Sequence, residues 1–133
     1  MHQPIRDLML DKFQEFYDGN WYVLGKNVRE FEREYARFCG VDHCVGVASG
    51  LDALVLCLKA LDIGKGDEVV VPSHTFFATW LAVSIVGATP IPVEPRINTY
   101  NLNPELLANA ITKQTKAILP VHLYGQPCEM ESI

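Results

Sequence analysis

No apolar run in this sequence approaches the ~20 residues that a membrane-spanning helix needs. The leading residues, Met1-His2-Gln3-Pro4-Ile5-Arg6-Asp7, are polar and lack the apolar stretch of a signal peptide. A basic excess is missing as well. The net charge is −5 and the isoelectric point about 5.3, which argues against a nucleic-acid footprint or a polybasic membrane patch. Cys39, Cys44, Cys57 and Cys128 are scattered, with no Cys-x-x-Cys pair. That spacing argues against a disulfide framework and against a zinc site, and points to four reduced thiols in a cytoplasmic protein. No internal repeat or low-complexity tract occurs.

What is present suits an ordinary globular protein. The chain has 133 residues, a length that favours one domain. Its apolar share of 49% and charged share of 20% are typical of soluble folds. Ile5, Leu8, Met9, Phe13, Phe16 and Tyr17 recur at helical spacing, and Asp18-Gly19-Asn20 ends that helix. Trp21 to Gly25 is a short link. Val28, Phe31, Tyr35 and Phe38 mark a second helix that Gly40 closes.

From there helix and strand alternate. Val45-Gly46-Val47-Ala48 reads as a short buried strand, and Leu51, Leu54, Val55, Leu58 and Leu61 as the apolar stripe of a third helix. Glu68 to Pro72 does not alternate and is expected to be buried on both faces. Thr75 to Val86 is predicted as a fourth helix closed by Gly87. Thr89-Pro90-Ile91-Pro92-Val93 reads as an edge or early-terminating strand because of its two prolines. Asn103 caps a short helix that begins at Pro104, and Ala117 to His122 is a further strand. This order predicts an α/β fold with a mainly parallel sheet covered by helices.

Two strand-to-helix junctions carry chemical interest. Ser49-Gly50-Leu51-Asp52 opens the third helix with almost no loop before it, Ser49 as N-cap and Asp52 at the reciprocal capping-box position. A helix N-terminus offers unpaired N–H groups and a partial positive charge, a natural seat for phosphate. Pro72-Ser73-His74-Thr75-Phe76-Phe77 puts hydroxyl and aromatic groups where the next strand ends. Ligands of open α/β sheets sit beyond the carboxyl ends of the strands, so segments 48–52, 72–77 and 122–126 are expected to face one crevice. Phosphate seat plus aromatic platform is what a flat phosphorylated cofactor such as pyridoxal phosphate needs. Taken singly, each feature also has a plainer reading. Ser49 and Asp52 fit a common capping box, Phe76 a core residue, and His74 and His122 structural histidines without metal-ligand spacing. The charges of 29–37, opposite in sign three residues apart, fit a solvated helix face.

Six segments in register nevertheless resemble one family. They are Gly25-Lys26-Asn27-Val28-Arg29-Glu30-Phe31-Glu32, Ser49-Gly50-Leu51-Asp52-Ala53-Leu54, Gly66-Asp67-Glu68-Val69, Pro72-Ser73-His74-Thr75-Phe76, Thr99-Tyr100-Asn101-Leu102-Asn103-Pro104 and Pro120-Val121-His122-Leu123-Tyr124-Gly125-Gln126-Pro127. Together they resemble the N-terminal part of the DegT/DnrJ/StrS-type sugar aminotransferases, fold-type I enzymes dependent on pyridoxal 5'-phosphate.

The resemblance implies a partial three-layer sandwich, the N-terminal portion of an aspartate-aminotransferase-like large domain. Residues 1–24 would be a leading helix and link, and 25–133 a cofactor-binding domain incomplete on its C-terminal side. Ser49, Gly50 and Leu51 match the phosphate site, where the family often has Thr in place of Leu51, and Phe76 matches the residue that stacks on the pyridine ring. His122, Tyr124 and Gln126 match a loop near the active site. Gly25 matches a segment near the substrate entrance and the dimer partner. The family's pyridine-pairing Asp and Schiff-base Lys would lie beyond Ile133. None of Lys12, Lys26, Lys59, Lys65, Lys113 and Lys116 sits at a strand end facing the crevice, so no catalytic residue is expected in this chain. Glu129 to Ile133 reads as the start of a further helix, consistent with a fragment.

The implied activity is transfer of an amino group, from glutamate, to a keto group on a nucleotide-linked sugar by a homodimer. Two alternatives stay open. One is a sugar dehydratase of the same family, with His in place of the Schiff-base Lys. The other is a non-catalytic phosphate-binding or interaction module.

Overall fold

The computed structural model describes residues 3–133, which divide into two compact units, 3–46 and 47–133. In the leading unit, α1 (Arg6–Asp18) and α2 (Lys26–Cys39) form where the spacing predicts them. Gly40 closes α2 at φ +69, a left-handed position that glycine takes without steric cost. The edge of Phe16 meets the ring of Tyr22, their centroids 5.2 Å apart, at the turn between these helices. The apolar stripe of α1 stays uncovered, with Leu8, Met9 and Phe13 exposed. The charges of α2 lie mostly on an exposed face, as a solvated helix face requires. Lys26 pairs with Glu30 at 3.6 Å, and Glu32 accepts a hydrogen bond from Gly46 N at 2.7 Å.

The second unit holds α3 (Gly50–Ala60), β1 (Glu68–Pro72), α4 (Ala78–Ile85), β2 (Thr89–Val93), α5 (Pro104–Ala110) and β3 (Thr115–Ile118). The three strands form a parallel sheet in the order β2-β1-β3. As the unbroken apolar run of β1 requires, that strand is central, and Val69, Val70 and Val71 have no exposed surface. Burying a valine this fully contributes roughly 1.5–3 kcal/mol.

Alternation splits these valines between two cores. Val69 and Val71 pack with Leu58, Ala82 and Val83 beneath α3 and α4. Val70 packs with Val93, Leu102 and Leu107 against α5. Helices thus cover both faces of the sheet, the three layers expected. β2 is an edge strand among the described residues, for a visible reason. Thr89 N donates inward to Asp67 O at 2.9 Å, so the alternating Pro90 and Pro92 turn their N–H-less nitrogens outward.

Four segments depart from the sequence reading. Residues 45–48 form no strand, because a strand needs a ladder and no described segment pairs with them. β3 starts at Thr115, opposite Glu68, rather than at Ala117. Its last ladder bond runs from Leu119 N to Val70 O at 2.8 Å, short of His122. α4 begins at Ala78 rather than Thr75, because residues 73–77 are used in turning the chain off the end of β1. Residues 129–133 make a single turn closed by Ser132 N on Glu129 O at 2.9 Å, not a helix.

Candidate functional site

The carboxyl ends of β1 and β3 and the amino ends of α3 and α4 enclose a cavity of about 670 Å³. Ser49, Gly50 and Leu51 line one side, Phe76 to Thr79 a second, and Leu119 to His122 a third. The crevice expected from strand polarity therefore exists, and five of the expected site residues, Ser49, Gly50, Leu51, Phe76 and His122, share it.

The α3 side is built as follows. Ser49 is extended (φ −156), and its Oγ accepts from Asp52 N at 3.2 Å, satisfying one orphan donor of the first turn. The Ser49 hydroxyl in turn donates to Asp52 Oδ2 at 2.6 Å. The box is thus closed by the hydroxyl, not by the backbone N–H of Ser49. The first intrahelical bond runs from Ala53 N to Ser49 O at 3.0 Å, which leaves the Gly50 and Leu51 N–H groups without a helical acceptor. A Cβ built on Gly50 would meet no atom within 4 Å. Two free amides therefore border open space at the positive end of an eleven-residue helix.

The second side is set by a tryptophan. Trp80 Nε1 donates to Pro72 O, the last carbonyl of β1, at 3.0 Å and ties the start of α4 to the strand end. Thr79 N donates to Phe76 O at 3.1 Å, and Thr75 and Thr79 join their hydroxyls at 3.3 Å. This tight turn turns Phe76 outward. Its ring lies 4.6 Å from that of Phe77, and the two are 72% and 62% exposed. Phe76 is not a core residue, so its apolar face is free for a ligand ring.

The residues fit a flat phosphorylated group. Two amides are free for the phosphate, the space beside Gly50 admits its oxygens, and an exposed aromatic ring adjoins the same cavity. No lysine lines it. The six lysines are all exposed. Lys12 has its pKa raised by the hydrogen bond it donates to Glu15 at 2.7 Å, the opposite of what an amine nucleophile requires.

Tyr124 and Gln126 do not line the cavity. Tyr124 projects from the following turn, 89% exposed, and Gln126 offers its backbone carbonyl to Asn101. Gly25 lies in the leading unit as the N-cap of α2, in a smaller pocket with Trp21, Tyr22 and Lys26. There Arg29 stands over the Trp21 ring at 5.5 Å, and a Cβ on Gly25 would come within 3.3 Å of Trp21 O. Sequence reasoning placed Phe77 in the junction cluster without a site role, and gave none to Thr79 or the Leu119–Val121 wall. Phe77 was signalled by its place beside Phe76, whereas the wall reads as ordinary strand.

An α/β unit with a helix-borne anion seat at its strand ends is the type of site used for phosphorylated cofactors. The sequence profile of the DegT/DnrJ/EryC1/StrS aminotransferase family matches residues 4–133, and the chain belongs to this family. It is similar to a dTDP-3-amino-3,6-dideoxy-alpha-D-galactopyranose transaminase of Aneurinibacillus thermoaerophilus, 58% identical over 116 residues, 87% of this chain and 32% of that protein. Among solved structures it is similar to S. venezuelae DesV, with TM-score 0.93 and 50% identity over 98% of this chain and 35% of that one. It is likewise similar to NtdA of Bacillus subtilis with bound cofactor PMP, with TM-score 0.93 and 33% identity over 100% of this chain and 30% of that one. The chain spans about a third of the length of the curated relatives it matches. The family's aminotransferases, sugar transaminases among them, depend on pyridoxal phosphate. Among the described residues no helix is long and apolar enough to cross a membrane.

Proposed function

We propose that this chain forms the phosphate seat and ring platform of a pyridoxal-5'-phosphate-dependent aminotransferase acting on a nucleotide-linked keto sugar. The observation that carries the reading is the meeting, in one cavity, of the free amides of Gly50 and Leu51 with the exposed ring of Phe76. The cofactor, when bound, supplies an electron sink through which an amino group passes from an amino acid to a ketone. In this reading the chain's own residues bind and orient. Gly50 and Leu51 donate N–H groups to the phosphate, the α3 dipole favours its charge, and Ser49 holds the first turn open by occupying Asp52 N. Phe76 fixes the plane of the ring, and the Leu119–Val121 wall keeps water from it. Tyr124 and Gln126 lie on the loop that borders the substrate, and Gly25 in a segment that serves the substrate entrance.

No lysine lines the cavity, and in this reading none of the six engages the cofactor's aldehyde. The 133 residues alone bind without turning over. Glutamate is the amino donor and becomes 2-oxoglutarate as its nitrogen moves to the sugar. The working protein is a cytoplasmic homodimer. The sugar-transaminase relative supports the substrate class, and the PMP-bound NtdA supports the cofactor.

The test is a titration of the chain with pyridoxamine 5'-phosphate, followed by amide chemical shifts. Saturable shifts at Gly50 and Leu51 that excess inorganic phosphate competes away are expected. Shifts scattered over the surface, or none, refute the seat.

A further inference from the structure

Asn101 lies outside the cavity, and the reading above does not use it. It is 4% exposed, yet its amide is fully engaged on a single loop. Oδ1 accepts from Leu123 N at 3.1 Å, and Nδ2 donates to the carbonyls of Gln126 at 2.9 Å and Pro127 at 3.1 Å. One side chain thus grips the loop just after His122 and just before Cys128.

Those two residues are themselves joined. Cys128 N donates to His122 Nδ1 at 2.9 Å. A backbone amide can only donate, so Nδ1 is held as an acceptor and the proton of the neutral ring sits on Nε2. With Nδ1 turned into the loop and His122 exposed on the cavity wall, Nε2–H is the one polar group of the ring left open.

The loop is not one the backbone adopts freely. Tyr124 (φ +56) and Gly125 (φ +82) are successive left-handed residues, and Tyr100, beside Asn101, is a third (φ +58). A non-glycine residue there carries a steric cost. Tyr124, being 89% exposed, gains no burial to offset that cost. The three Asn101 bonds hold the strained turn together with its own bonds, Gly125 N to His122 O and Gln126 N to Leu123 O, both at 3.1 Å.

We propose that Asn101 is a positioning residue. Through the loop it clamps, it holds His122 with Nε2–H presented to the cavity as a fixed hydrogen-bond donor to an oxygen of the bound phosphorylated cofactor. This rests on the cavity being the cofactor seat.

Pyridoxamine 5'-phosphate titrations of the chain, read from backbone amide and imidazole resonances, test it. The ligand should move the signals of Gly50, Leu51 and the His122 ring together. His122→Phe should weaken binding about tenfold, the loss of one hydrogen bond to a ligand. His122→Gln places an amide donor near the Nε2 position and should stay within about threefold of the unaltered chain. Asn101→Ala should also lose about tenfold, and the double variant no more than either single one, because both remove the same interaction. The two His122 variants leave all three clamp bonds in place, so they decide the matter even if Asn101→Ala does not fold. Unchanged affinity in His122→Phe overturns the proposal, as do losses that multiply in the double variant. Shifts at Gly50 and Leu51 without any at His122 leave the cofactor seat standing and overturn this proposal alone. No shifts at Gly50 and Leu51 overturn both.

Discussion

Substituting Gly50 by Ala separates what this glycine does for the chain from what it does for a ligand. Gly50 is the first residue of α3, follows the Ser49 cap, and has empty space where a Cβ would go. Alanine there restricts the unfolded chain and favours the helix, so the ligand-free protein should gain about 0.5–1 kcal/mol. For a chain of this size that raises the melting temperature by about 2–4 °C. The same methyl group enters the space through which a phosphate oxygen reaches the Gly50 and Leu51 amides. Losing a hydrogen bond to a charged partner costs about 1.5–3 kcal/mol, so affinity for pyridoxamine 5'-phosphate should fall roughly 10- to 100-fold. The assay is a pair of thermal melts with and without ligand. At about 100 times its dissociation constant a ligand adds about 2.7 kcal/mol to the unaltered protein, and Gly50→Ala should lose about half of that increment or more while melting higher without ligand. A variant that keeps the full ligand-induced shift refutes the placement of the phosphate at Gly50. A variant that melts lower without ligand refutes the claim that the space is open.

Phe76→Ala should leave stability within about 0.5 kcal/mol, since the ring is 72% exposed, and should weaken pyridoxamine 5'-phosphate binding about tenfold by calorimetry. Trp80→Phe removes the Nε1 bond to Pro72 O and should lower the urea midpoint by an amount equal to about 1–2 kcal/mol, with the slope unchanged. Leu102→Ala, at a side chain 1% exposed between the sheet and α5, should cost about 2–5 kcal/mol by the same measurement, and a loss below 1 kcal/mol would mean that the second core is not formed. Asn103→Ala deletes the α5 cap on Glu105 N at 3.0 Å and should cost about 1 kcal/mol.

Much of this architecture is local in origin and so was legible in the residues. Ser49 before an apolar stripe, Pro104 after Asn103, Gly40 and Gly87 after the last helical turns, and the unbroken Val69-Val70-Val71 run each encode an element through backbone preference or periodicity. Even the edge position of β2 follows from its prolines. The helix start at Gly50 and Leu51, with its two amides free of helical acceptors, was legible for the same reason. A cap, a helix start and a strand end are short-range features, and strand polarity puts such ends on one side of a parallel sheet.

Pairing and burial were decided by tertiary structure. Residues 45–48 have the composition of a strand, but a strand exists only if another chain segment takes its hydrogen bonds, and here β1 is flanked by β2 and β3. β3 could not be bounded from its apolar residues, because its start is set by the register against Glu68. Phe76 could be assigned to core or platform only once the Trp80 bond to Pro72 O had set the turn that leaves its ring exposed. Asn101 stood in one of the six family-like segments but had no role assigned from the sequence. Its role depends on carbonyls 25 and 26 positions away, which local sequence cannot specify. Capping, periodicity and turn chemistry act within a few residues and are written in the chain. Which amide meets which carbonyl across the fold is settled only when the layers close.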